Sequence, residues 1–110
     1  MESNGPAVVF AGGDPVPVEV GPLLPAGALV VAADSGLDLA RALGVPVDLV
    51  VGDFGSADPA GLAAAADAGA VLERHPVDKD ATDLELALEA VLRLGRSPVT
   101  IVGGAGWDRL

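Results

Sequence analysis

The sequence predicts a three-layer α/β domain, an open parallel sheet with helices on both faces. Three observations predict it. Short apolar runs recur along the chain and stop at glycine or aspartate, as in Ala7–Ala11 before Gly12-Gly13 and Asp48–Val51 before Gly52-Asp53. Segments of helical period separate them. The runs are continuously apolar rather than alternating, which fits strands buried on both faces. Strand and helix in alternation is the pattern of a parallel sheet.

The elements follow in order. Ala7–Ala11 reads as a strand. Residues 14–27 hold Pro15, Pro17, Pro22 and Pro25, too many for a regular interior element. Ala28–Ala33 is a second strand, stopped by Asp34-Ser35-Gly36. Leu37, Leu39, Ala40 and Leu43 then recur at helical spacing, and Gly44 sits where a helix-ending glycine belongs. Asp48–Val51 is a third strand. Asp58 before Pro59 reads as a capping carboxylate followed by proline at the first helical position, and that helix runs to about Asp67. Val71–Glu73 is a weaker strand. Leu84, Ala87, Leu88, Val91 and Leu92 make an amphipathic stripe ended by Gly95, with Glu85 and Glu89 on the wet face and Glu89 four residues from Arg93 as an ion-pair partner. Val99–Val102, closed by Gly103-Gly104, is the last strand.

Composition narrows the function. The 110 residues carry a formal charge of −10 and no cysteine. An acidic balance argues against nucleic acid or an anionic membrane as partner, because both require clustered Lys and Arg. The lack of cysteine excludes disulfides, thiolate metal sites and a thiol nucleophile. At 51% hydrophobic residues the chain is too apolar for a disordered tail. No apolar run is long enough to span a membrane and no basic leader opens the chain, so a soluble, cytoplasmic protein is expected.

Polar residues gather where strands end, the edge at which open α/β sheets bind ligands. Asp53 follows a strand and a glycine. A carboxylate there can hold Mg²⁺, which takes oxygen ligands and substrate phosphates, or it can cap its own turn. Asp78-Lys79-Asp80-Ala81-Thr82-Asp83 packs three carboxylates, a hydroxyl and the chain's only lysine directly before the strongest helix. Thr82 with Glu85 fits a capping box; the same helix start, with Lys79, can receive phosphates while Asp80 or Asp83 holds their metal. Asp34 reads first as a cap. The glycine cluster Gly103-Gly104-Ala105-Gly106 suits a phosphate approach but lacks a following helix. Arg109 can pair with a phosphate. His75, before Pro76 and without a second His or Cys nearby, reads as structural.

Taken in order, Ala33-Asp34-Ser35-Gly36, Gly52-Asp53-Phe54-Gly55-Ser56, Lys79-Asp80-Ala81-Thr82-Asp83 and Trp107-Asp108-Arg109-Leu110 resemble the motifs of the thiamine pyrophosphokinase catalytic domain, in register from about residue 28 to the last residue. The resemblance implies a Rossmann-like sheet and transfer of pyrophosphate from ATP to the hydroxyl of thiamine, with release of AMP. It implies Mg²⁺ held by Asp53 and Asp83 with Asp34 nearby, and Thr82, Lys79, Asp80 and Arg109 at the phosphates or nucleotide. It also implies a homodimer and a second, all-β domain that helps to hold thiamine.

Three departures from the family pattern stand out. Gly55 replaces an aspartate that the family uses at the metal. Ser35 replaces a glycine, and Trp107-Asp108 a glycine pair. The family's next residues, the rest of its catalytic domain and its β domain would lie beyond Leu110. Residues 1–110 are therefore expected to be a partial, ATP-binding catalytic domain with little activity alone. Two other functions stay open: a hydroxymethylpterin pyrophosphokinase, and a non-catalytic nucleotide-binding or assembly module of the same fold.

Overall fold

A computed structural model describes residues 5–12, 24–25, 27–33, 36–52, 54, 58–75, 83–103 and 106–109. The elements are β1 (Ala7–Gly12), β2 (Leu29–Ala33), α1 (Gly36–Ala42), β3 (Leu49–Gly52), α2 (Pro59–Asp67), β4 (Val71–Arg74), α3 (Asp83–Arg93), β5 (Val99–Gly103) and β6 (Gly106–Arg109). The sheet order is β4-β3-β2-β1-β5-β6. The first five strands run parallel, and β6 returns antiparallel against β5. The open parallel sheet expected from the sequence is present.

Register explains the two cores. Val9 pairs with Val31 and Val31 with Leu49, so the side chains of these neighbours share one face. On that face Ala7, Val9, Val31, Ala33, Leu49, Val51 and Val99 meet Ala87, Ala90 and Val91 of α3. The alternate residues point the other way. Val8, Phe10, Val30 and Val102 pack under Leu39 and Ala40 of α1. Ala32, Leu37 and Val50 pack with Leu62 and Ala65 of α2 and with Phe54. Phe10, Val8, Val9, Val31, Val50, Val51, Val91 and Val102 are fully buried, and burying each such side chain contributes roughly 2 kcal/mol.

Connection handedness puts the helices where they are. The chain steps from β2 to β3 to β4 in one direction, with α1 and α2 on one face. It then crosses back from β4 to β5, and right-handed crossovers place the returning helix on the opposite face. That helix is α3, which spans β3, β2 and β1. Its small buried residues, Ala87 and Ala90, allow the close approach.

Local signals read from the sequence recur. Asp58 caps α2, its Oδ1 accepting from the Ala60 N–H at 3.2 Å. Gly44 closes α1, with the Val45 N–H donating to the Ala40 carbonyl at 2.9 Å. Three details differ. Arg93 turns to Glu73 on β4, donating from Nη2 to both carboxylate oxygens at 3.2 and 3.0 Å, rather than to Glu89 on its own helix. The sheet offers a fixed, half-buried carboxylate, whereas Glu89 is a solvated neighbour. Leu92 is 73% exposed; its position is rotated past the face formed by Ala87, Ala90 and Val91. Gly106–Arg109 is a further strand, β6, beyond the Val99–Val102 run that the sequence pattern makes the last. Among the described residues no helix is long and apolar enough to cross a membrane.

Candidate functional site

The carboxyl edge of the sheet is built from glycine. β1, β3 and β5 end at Gly12, Gly52 and Gly103, and Gly12 pairs with Gly103 after a register irregularity that follows Phe10. The strand order reverses between β1 and β5, which is where ligands of open α/β folds bind. Gly52 and Gly103 have φ of 136° and 129°, values that residues with a Cβ rarely adopt.

Around β3 this edge is closely specified. The His75 N–H donates to the Gly52 carbonyl at 2.7 Å, extending the β3–β4 ladder by one residue. Two residues beyond Gly52, Phe54 has φ of 67°. A bulky residue in the left-handed region is an outlier, and holding it there costs on the order of 1 kcal/mol. The Phe54 side chain packs into the cluster formed by Ala32, Leu37 and Val50. Gly36, the first residue of α1, lies against the end of β1. A Cβ there would overlap the Phe10 carbonyl oxygen and come 2.5 Å from its carbon, so the turn after β2 abuts the backbone of β1.

Beside this edge Glu73 accepts from both Arg93 and His75, the His75 Nε2 lying 2.9 Å from Oε1. Burial alone would raise the Glu73 carboxyl. The His75 and Arg93 hydrogen bonds and the two nearby charges outweigh it and hold the group below the usual carboxylate range. His75 is thus a structural partner, as its sequence context suggested.

Asp34, Asp53, Gly55, Lys79, Asp80 and Thr82 lie outside the described residues. Residues flanking some of them in the chain are described. Gly36 abuts the end of β1, and Gly52 and Phe54 bracket the position of Asp53. α3 must run from the carboxyl edge back to the amino edge, so its first residue, Asp83, starts on the edge where β3 ends. Arg109 is placed apart: its backbone pairs with Thr100 near the start of β5. β5 and β6 pair antiparallel with Gly103 opposite Gly106, and so short a connection also calls for glycine. That glycine spacing is a local hairpin signal that the weak apolar pattern of Gly106–Arg109 does not reinforce.

Two hollows lie elsewhere. One of about 340 Å³, lined by Val8, Val30, Val45 and Asp48 among others, and one of about 230 Å³ between α1 and α2, share Asp48 at the amino edge. They are open and largely aliphatic. The Asp48 carboxylate is engaged, Oδ2 accepting from the Val30 N–H at 2.8 Å. Among the described residues no group of three or more His, Asp or Glu stands close enough to hold a metal.

Fold and edge together define an open, doubly wound α/β domain with glycine-ended strands carrying acidic motifs. Residues 21–109 match the family model of the thiamin pyrophosphokinase catalytic domain. The chain belongs to that family. A thiamin pyrophosphokinase family protein from Enterococcus faecalis is 28% identical with a TM-score of 0.70, over 92% of this chain and 47% of that one. Thiamine pyrophosphokinase from Bacillus subtilis is 25% identical with a TM-score of 0.68, over 92% of this chain and 49% of that one. Thiamin pyrophosphokinase from Candida albicans, at 16% identity and TM-score 0.69 over 81% of this chain and 31% of that one, shares the fold. The chain spans half or less of the length of these relatives. No curated protein matches it.

Proposed function

We propose that the protein carrying this chain transfers a pyrophosphoryl group from ATP to the hydroxyl of thiamine, giving thiamine diphosphate and AMP. The observation that supports it most is the family match over residues 21–109, which includes the Asp34, Asp53, Lys79–Asp83 and Arg109 motifs. In this reaction the hydroxyl oxygen bonds the β-phosphorus, the bridging oxygen leaves with AMP, and the hydroxyl proton is released.

The donor set suits Mg²⁺: carboxylates and a hydroxyl, no thiolate, on an edge whose glycines let backbone come close to a ligand. Asp53 and Asp83 would hold the ion, with Asp34 beside them. When bound, Mg²⁺ neutralises phosphate charge and orients the groups for displacement. Lys79 and Thr82, which precede α3 in the chain, meet the phosphates together with the N–H groups of its first turn, and Asp80 belongs to the same nucleotide site. Arg109 is assigned to the nucleotide on the resemblance alone. A chain of net charge −10 draws in an anionic nucleotide only through such local cations. The complete protein works in the cytoplasm as a homodimer, without nucleic acid or membrane as a partner.

Gly55 favours a second reading, a nucleotide-binding module that has lost a metal carboxylate. One assay separates the possibilities. ATP and Mg²⁺ are offered with thiamine or with a hydroxymethyl pterin, and AMP and product are followed. AMP with thiamine diphosphate supports the proposal, a pterin product replaces the acceptor, and nucleotide binding without AMP supports the module. Gly55→Asp is expected to raise AMP release; equal rates would show that position 55 takes no part.

A further inference from the structure

We propose that Phe54 is a positioning residue for the metal site: its half-buried ring fixes its own left-handed backbone, directly after Asp53 in the chain. The inference rests on the reading of Asp53 as a metal carboxylate. Among the described residues Phe54 is the one non-glycine residue with positive φ. Glycine adopts that backbone without strain, so a phenylalanine there needs a compensating interaction. The structure supplies one. The Phe54 side chain packs against Ala32 of β2, Leu37 of α1 and Val50 of β3, in a cluster that also takes Leu62 and Ala65 of α2. One side chain thereby ties Phe54 to a cluster shared by two strands and α1.

The other flank of Asp53 is fixed as well. Gly52 pairs with Arg74 and accepts the His75 N–H at 2.7 Å. Asp53 therefore sits in the chain between a residue locked by the sheet ladder and a residue locked by its ring. A ligand carboxylate gains affinity when its supports hold it in one orientation before the ion arrives. Strain stored next to such a group, and offset by packing, is how that orientation is maintained.

The test titrates Mn²⁺ into the chain in the presence of a non-hydrolysable ATP analogue, read by water-proton relaxation, with thermal unfolding followed in parallel. Phe54→Gly relieves the backbone and removes the anchor, and Phe54→Ala removes the anchor alone. Each is expected to weaken Mn²⁺ binding by about tenfold or more, the usual effect of losing a ligand's support. Phe54→Leu keeps an apolar anchor and should stay within about twofold of the unmodified chain, since a roughly volume-conserving swap is tolerated best. Leu62→Ala, in the same cluster but on α2, lowers the unfolding temperature and leaves the affinity unchanged wherever the chain is folded. Equal weakening by Leu62→Ala and Phe54→Ala, or unaltered affinity in folded Phe54→Gly while Asp53→Asn loses it, overturns the positioning role alone. Absence of Mn²⁺ binding by the unmodified chain, or an Asp53→Asn variant that binds normally, overturns the Asp53 reading and this inference with it.

Discussion

β3 has an aspartate just beyond each end, and the backbone flanking the two differs. Asp48, before the strand, spends its carboxylate on the backbone: Oδ2 takes the Val30 N–H at 2.8 Å, while its own N–H donates to the Val30 carbonyl at 2.9 Å and its carbonyl accepts from Val71 at 2.9 Å. It stitches the amino edge. Asp53, after the strand, follows a glycine of φ 136° and precedes a phenylalanine of φ 67°. Among the described residues, glycine, close approach and backbone strain mark the carboxyl edge around β3. Strand polarity thus separates a structural aspartate from the proposed catalytic one, five residues apart in the chain.

Four substitutions probe that contrast. The largest effect is expected at Gly36, where a methyl group meets the backbone of a central strand that cannot yield. Gly36→Ala should lower stability by about 3 kcal/mol, measured by urea unfolding. A near-neutral result would mean that α1 does not press on β1 as described. Next comes the aspartate pair. Asp48→Ala strands the Val30 N–H and should cost about 1 kcal/mol of stability without altering nucleotide binding per folded molecule; Asp53→Asn should do the reverse. Exchange of those phenotypes would break the comparison.

The smallest effect belongs to Glu73. Its ion pairs are partly exposed, so Glu73→Gln should cost less than about 1 kcal/mol at neutral pH. The folded carboxyl sits below its ordinary value, so the stabilisation is complete above the free carboxyl's value of about 4.3 and fades as pH falls through the lowered one. The stability gap between wild type and Glu73→Gln should therefore close in acid. A gap that persists or widens there would contradict the assignment of the carboxylate as the charged partner.

The fold was legible because its strands are buried on both faces. Runs such as Leu49–Val51 and Val8–Phe10 are apolar at every position, and Asp58, Gly44 and Gly95 mark helix ends by local chemistry. Less legible was whatever depends on distant neighbours. Arg93 chooses Glu73 across twenty positions of sequence over the adjacent Glu89, because tertiary packing supplies a fixed carboxylate. Gly106–Arg109 pairs with β5 although it has too little apolar pattern to read as a strand. The site motifs could be recognised by order and spacing, whereas the reason for Gly36 in one of them required the position of the Phe10 carbonyl. The left-handed Phe54 has no signature in sequence at all, since a Phe in that turn reads as an ordinary apolar residue.

The most direct measurement is an amide NMR titration of the chain with Mg²⁺ and a non-hydrolysable ATP analogue. If nucleotide and metal bind the carboxyl edge, the amides of Gly12, Gly36, Gly52, Phe54, Asp83 and Gly103 shift while those of Val30, Val45 and Asp48 stay in place. Shifts centred on Asp48 and the amino-edge hollows, or none at any amide, would contradict the account.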